Sequence, residues 1–98
     1  MRLGVFISDY KGQEDILKRL WAEKLGIFFV GNGVYHSVIK ENGKSSPLLK
    51  KEANFYVLSE DIQSRGFENK EVHEKVVVIT YSDLVDLIMN EYEKLVWL

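Results

Sequence analysis

The sequence contains no cysteine. That excludes disulfides, thiolate-bound zinc, a thiol nucleophile and a persulfide carried on this chain. Histidine is nearly as scarce, with His36 and His73 alone. Neither has the companion ligands at fixed spacing that a metal needs, so no metal and no cofactor is expected. Proline occurs once and glycine seven times in 98 residues, of which 46% are hydrophobic, so a disordered chain is excluded. That length suits one domain over residues 1–98. The N-terminal apolar run, Leu3 to Ile7, soon meets Asp9 and Lys11. It falls short of the ~7–15 residues of a signal peptide and the ~20 of a membrane span, so a cytoplasmic protein without membrane contact is expected.

Nor is there an excess of charge of one sign, since 13 Lys and Arg stand against 15 Asp and Glu. The net charge is −2, whereas nucleic-acid binders gather Lys and Arg on one face. Lys44, Lys50 and Lys51 flank a Ser-Ser-Pro turn and are offset by Glu41 and Glu52. They read as a solvated loop, and no direct nucleic-acid partner is expected.

What is present is a set of four short apolar runs: Leu3 to Ile7, Ile27 to Val30, Phe55 to Leu58 and Val76 to Ile79. They are nearly continuous and rich in Val, Ile and Phe, as strands buried on both faces of a parallel sheet are. Segments of helical period separate them. Gln13 to Lys24 puts Ile16, Leu17, Leu20 and Trp21 on one face, with Glu14 and Asp15 in the first turn and Gly26 as a left-handed stop. Val34 to Lys40 predicts a short helix with Val34, Val38 and Ile39 inward, ending at Asn42-Gly43. Glu60 to Arg65 predicts a single-turn helix capped by Ser59 and closed by Gly66. Ser82 to Lys94 predicts the last helix, with Leu84, Val85, Ile88, Met89 and Tyr92 inward and a Thr80-x-x-Asp83 cap. The alternation predicts an α/β protein, a three-layer α/β/α sandwich around a mostly parallel sheet of four or five strands. The apolar tail Leu95 to Leu98 reads either as a fifth, edge strand or as a contact for a partner.

Gly31-Asn32-Gly33, after the second strand, is the segment most like a ligand loop. It is neither a Walker loop nor a full G-x-G-x-x-G, because His36 occupies the last position. A tight strand-to-helix turn accounts for both glycines without a ligand. His36 falls on the exposed side of a short helix and His73 in a polar loop, which makes both surface residues. Asp61 and Arg65, four apart, read as ordinary helical pairing. No nucleophile elbow or Ser/His/Asp set is present, so no catalytic residue is assigned.

The third strand and the segment after it, Phe55-Tyr56-Val57-Leu58-Ser59-Glu60-Asp61 through Arg65-Gly66-Phe67, resemble the DsrH/TusB family. So do Val78 to Leu87, the Gly31-Asn32-Gly33-Val34-Tyr35 turn (with Asn32 in place of the family's acid) and the closing Val96-Trp97-Leu98. The resemblance covers the whole chain. It implies a DsrE/DsrF-related fold and a place in a sulfur-relay complex. The relay passes persulfide sulfur toward 2-thiouridine at the tRNA wobble position, or serves sulfur oxidation. It implies DsrE- and DsrF-like (TusD- and TusC-like) paralogues as partners, or copies of the same chain in a homo-oligomer. Some members carry a cysteine on the first helix; the nearest counterpart here is Leu17. The chain is therefore expected to be a non-catalytic subunit. Tyr35 and Trp97 are candidate contact residues, since Tyr10, Trp21, Tyr35, Phe67 and Trp97 are a surplus of large aromatics for this size. The rival reading is a small-molecule, nucleotide or anion module using the Gly31–Gly33 turn.

Overall fold

The computed structural model describes residues 1–11 and 14–98. Among the described residues five strands and four helices alternate: β1 (Arg2–Ile7), α1 (Glu14–Arg19), β2 (Lys24–Phe29), α2 (Tyr35–Val38), β3 (Asn54–Leu58), α3 (Ser59–Ser64), β4 (Val76–Ile79), α4 (Tyr81–Asn90) and β5 (Lys94–Trp97). Three 3₁₀ turns join them, at Gly31–Val34, Pro47–Lys50 and Asn69–Glu71. The sheet is wholly parallel in the order β4-β3-β2-β1-β5. The apolar tail is thus an edge strand, paired to β1 with Phe6 opposite Trp97.

From β1 to β4 the chain steps outward one strand at a time, then returns across the whole sheet to β5. Right-handed crossovers in opposite directions deposit their helices on opposite faces. Alternate residues of each strand accordingly feed two cores. Leu3, Val5, Ile7, Ile27, Phe29 and Val57 pack with Leu17 of α1, Val34 and Ile62 of α3. On the other face Phe6, Phe28, Leu58 and Ile79 pack with Leu84 of α4 and Tyr92. The first face is covered by several short elements, the second by α4 alone.

Several element boundaries differ from the sequence expectation, each for a tertiary reason. The first helix ends at Arg19 rather than Lys24, because Lys24, Leu25 and Gly26 pair with Arg2, Leu3 and Gly4 as the start of β2. Gln13, placed in that helix from its sequence, lies outside the described residues. Gly26 is therefore no helix stop. It lies under the ring of Tyr92, which a Cβ at that position would overlap. Leu17 is buried, but Ile16 is exposed and Trp21, beyond the helix end, is 80% exposed. The second helix splits into the 3₁₀ turn at Gly31–Val34 and a single turn, Tyr35–Val38.

Ser59 is the first residue of α3 rather than its cap; its hydroxyl donates to Glu60 Oε1 at 3.0 Å. Gly66, at φ +82°, follows that helix as a left-handed residue. Thr80 caps α4 reciprocally with Asp83, each side chain meeting the other's backbone N–H at 3.1 Å. The last helix stops at Asn90, so Tyr92 and Lys94 lie beyond it, and Val85 and Met89 turn outward rather than in.

Candidate functional site

The residues singled out from sequence gather at the C-terminal rim of the sheet, where parallel sheets place their ligands. After β2 the chain turns sharply at Gly31, φ +52°, a conformation that favours glycine. Gly33 serves a different need. A Cβ there would overlap the carbonyl oxygen of Ile7 at the end of β1, so only glycine lets the turn pass that close.

Asp61 and Arg65 do not form the helical ion pair expected of them. The Asp61 carboxylate reaches across to accept the Gly31 N–H at 2.7 Å, and Arg65 donates to the Asp61 backbone oxygen at 3.1 Å. The other arm of Arg65 donates to Asn32 Oδ1 at 3.1 Å. Helix α3 is thereby tied to the Gly31–Gly33 turn through side chains. The arrangement bears on the ligand-loop reading, because a carboxylate of the chain itself already holds the Gly31 N–H. The Gly33 N–H donates to Val30 O at 2.8 Å. Neither donor is left facing outward for an anion.

His36 is the largest departure from the sequence expectation. It is buried at 3% exposure, not a surface residue. Its Nε2 lies 3.1 Å from the Asp9 carbonyl oxygen and its Nδ1 lies 2.7 Å from Ser46 Oγ. A carbonyl only accepts, which places a proton on Nε2, while Nδ1 shares a hydrogen bond with the Ser46 hydroxyl. Ser46 in turn accepts the Leu48 N–H at 3.3 Å and caps the 3₁₀ turn at Pro47–Lys50. His36 therefore joins the loop after β1 to the segment leading into β3. Around it Tyr10 packs on the imidazole at 4.9 Å between centroids and meets Tyr35 edge-on at 6.1 Å. Tyr35 meets Phe67 edge-on at 6.0 Å. Sequence reasoning missed the Asp9–His36–Ser46 link; the residues flanking His36 do not reveal a partner ten residues away.

Trp97 sits apart from this cluster, on the α4 side of the sheet. It stacks flat on Phe6, centroids 4.9 Å apart at 11°, and its indole N–H donates to Ser8 Oγ at 3.3 Å. Phe6 stacks on Phe28 at 5.2 Å, and Phe28 on Tyr56 at 4.9 Å. The register places Trp97, Phe6, Phe28 and Tyr56 side by side on β5, β1, β2 and β3. A row of four parallel rings thus crosses the sheet and ends at an indole that is 65% exposed. Each ring lies within an apolar run, a signal visible in the sequence once the register is known.

The Tyr92 hydroxyl is buried beneath this row, near Tyr56 and Asn54 but without a well-formed hydrogen bond. Burial, with Tyr56 beside it, pushes its pKa well above the ordinary tyrosine value. Among the described residues no cluster of His, Asp and Glu is placed to hold a metal ion, and no helix is long and apolar enough to cross a membrane.

Fold and rim together define a small parallel α/β domain that lacks a thiol, closes its strand-end turn with its own side chains and carries, on the α4 side of the sheet, an aromatic row that ends in an exposed indole. A model of the family described as DsrH like protein matches residues 8–94. Protein TusB of Photorhabdus laumondii is 33% identical over 90 residues, covering 92% of this chain and 93% of that protein. Protein TusB of Yersinia enterocolitica is 29% identical with the same coverage, 92% and 93%. The solution NMR structure of protein Tm0979 from Thermotoga maritima shares the fold, with a TM-score of 0.65 at 24% identity over 91% of this chain and 93% of that one. The chain belongs to the DsrH family.

Proposed function

We propose that this protein is an assembly subunit of a sulfur-relay complex, one that organises thiol-bearing partners and carries no sulfur itself. Membership in the DsrH family and kinship to TusB proteins support the relay, with tRNA wobble uridine as its destination. The observation that carries the subunit role is the complete absence of cysteine from a chain of this family. A persulfide forms on a thiolate, and this chain has none. Its contribution is therefore a surface and not a reaction.

The surface that fits is the α4 side of the sheet. One short helix covers that side incompletely, leaving Trp97, Leu95 and Val77 exposed on the strands and Met89 76% exposed on α4. Edge strands β4 and β5 also present unpaired backbone. Aromatic and methionine side chains exposed together mark protein interfaces. The partners of this reading are DsrE- and DsrF-like paralogues or further copies of the same chain. Trp97 lies at these contacts, and Tyr35, which packs against Tyr10 and Phe67 away from the α4 face, marks a second contact beside the rim. Gly31, Asn32, Gly33, His36, Asp61 and Arg65 hold the rim in shape and perform no chemistry.

Two measurements test the proposal. Mass spectrometry after incubation with a cysteine desulfurase and cysteine is expected to show no adduct on this chain. A stable gain of about 32 Da, one sulfur atom, would end the non-carrier reading. A pull-down from the native organism is expected to bring a cysteine-bearing DsrE-like protein. A chain that sediments as a monomer at tens of micromolar and captures no such partner would remove the subunit role.

A further inference from the structure

The positive charge of this acidic protein is unevenly balanced. Arg2 pairs with Glu93, Lys24 with Glu91 and Lys70 with Glu68, at 3.2, 3.1 and 3.1 Å. Lys11, Lys44, Lys50 and Lys75 pair with no carboxylate among the described residues, and all four line one cleft of about 840 Å³. The cleft has a single acidic wall residue, Glu41, whose carboxylate accepts the Tyr10 hydroxyl at 3.1 Å. Four of the ten Lys and Arg side chains that pair with no carboxylate among the described residues thus line one concavity, against a single acidic wall residue.

The walls of that cleft are held in place. Asn42, φ +53°, and Gly43, φ +75°, form a two-residue reversal that pairs Glu41 with Lys44 through two backbone hydrogen bonds of 2.9 Å. Lys50 ends the 3₁₀ turn that Ser46 caps, and Ser46 is fixed by buried His36. Lys75 donates to the Leu49 carbonyl at 3.2 Å, which spans the cleft's other side. The tyrosine ring, Pro47 and Leu49 add apolar wall between the charges.

We propose that this cleft binds a small phosphate-bearing ligand of the size and charge of a nucleoside di- or triphosphate. The volume lies within the ~300–1,000 Å³ of small-molecule sites, and such sites combine apolar walls with a few placed polar groups. Lysine ammonium groups are point charges that suit phosphate oxygens spread over several positions. A nucleic-acid strand calls for a basic track along the surface, whereas here the charge converges on one concavity. The site is distinct from the Gly31–Gly33 turn, whose two glycine N–H groups are already engaged, and it is independent of the aromatic face on which assembly rests.

The test is a titration of the full chain with ATP followed by backbone amide NMR shifts, alongside adenosine, inorganic phosphate, a glutamate-rich peptide and single-stranded RNA. Saturable shifts for ATP at Tyr10, Ser45 and Lys50 are expected, with none for adenosine and weaker ones for inorganic phosphate. Lys50→Glu, at an exposed position, is expected to weaken ATP by roughly tenfold at low salt, because it turns an attractive charge repulsive at close range. Lys94→Glu makes the same change in net charge on the distant edge strand and is expected to leave ATP binding unchanged. Equal weakening by both variants would reduce the effect to overall charge and overturn the site. So would shifts outside the cleft, no saturation, or tighter binding of the peptide or the RNA than of ATP.

Discussion

Replacing Trp97 by alanine removes the outermost ring of the four-ring row and separates a contact within the domain from one between chains. The indole is 65% exposed, so about a third of its surface is already hidden against Phe6. A tryptophan offers up to ~250 Å², of which the hidden third, ~85 Å², is worth ~2 kcal/mol at ~25 cal/mol/Å². The offset stack on Phe6 adds about 1 kcal/mol. Trp97→Ala should therefore cost the isolated domain about 2–3 kcal/mol, a loss it survives if its stability lies in the usual range of ~5–15 kcal/mol. The remaining ~165 Å² has no cover among the described residues, and hiding it in a partner is worth ~4 kcal/mol, close to a thousandfold in dissociation constant. Urea denaturation measures the first number and sedimentation of the assembly across concentration measures the second. Early melting with an unchanged assembly constant would show that Trp97 only seals its own sheet, and the interface reading would fail. Truncation after Leu95 is expected to act in the same direction and more strongly, since it also removes two residues of β5 that pair with β1.

Two further changes probe the frame beneath that face and the rim. Gly33→Val is expected to cost about 3 kcal/mol or more, because the new side chain meets the Ile7 carbonyl oxygen, a backbone atom of a central strand that cannot turn aside; an ordinary denaturation midpoint would refute the close approach. Tyr92→Phe removes a buried hydroxyl that has no well-formed hydrogen bond and should raise stability by about 1 kcal/mol. The same hydroxyl sets a pH dependence: its folded pKa lies above its unfolded value near 10, so the stabilisation of its neutral form is complete below that pH and disappears as pH rises beyond it. Denaturation of the wild type and Tyr92→Phe from neutral to strongly alkaline pH should show the variant losing less, and parallel curves would place the tyrosine in water.

The sequence by itself determined the alternating parallel α/β plan, the span of β4, the Thr80–Asp83 cap and the stop at Gly66. Each of these is written in a local signal: a buried apolar run, a reciprocal side-chain cap, or a glycine where the backbone turns left-handed. The lack of cysteine, and with it the exclusion of thiol chemistry on this chain, needs no structure at all. Tertiary structure decided the rest. Gly26 reads as a helix stop until strand pairing with Gly4 draws it into β2 and the Tyr92 ring closes over it. Val85 and Met89 fall on the apolar stripe of their helix, yet periodicity cannot say how far one helix covers a five-stranded face, and both are left outside. Asp61 and Arg65 look like helical neighbours, but the chain folds the Gly31 turn against them and offers the carboxylate a backbone N–H instead. His36 is buried because its two partners, Asp9 and Ser46, are brought to it by loops on either side of the second strand, and the residues next to it in sequence carry no record of what will satisfy it. The lysines of the cleft are scattered from position 11 to position 75 among compensating acids, so their convergence depends on which loops the sheet brings together and on which carboxylates it turns elsewhere.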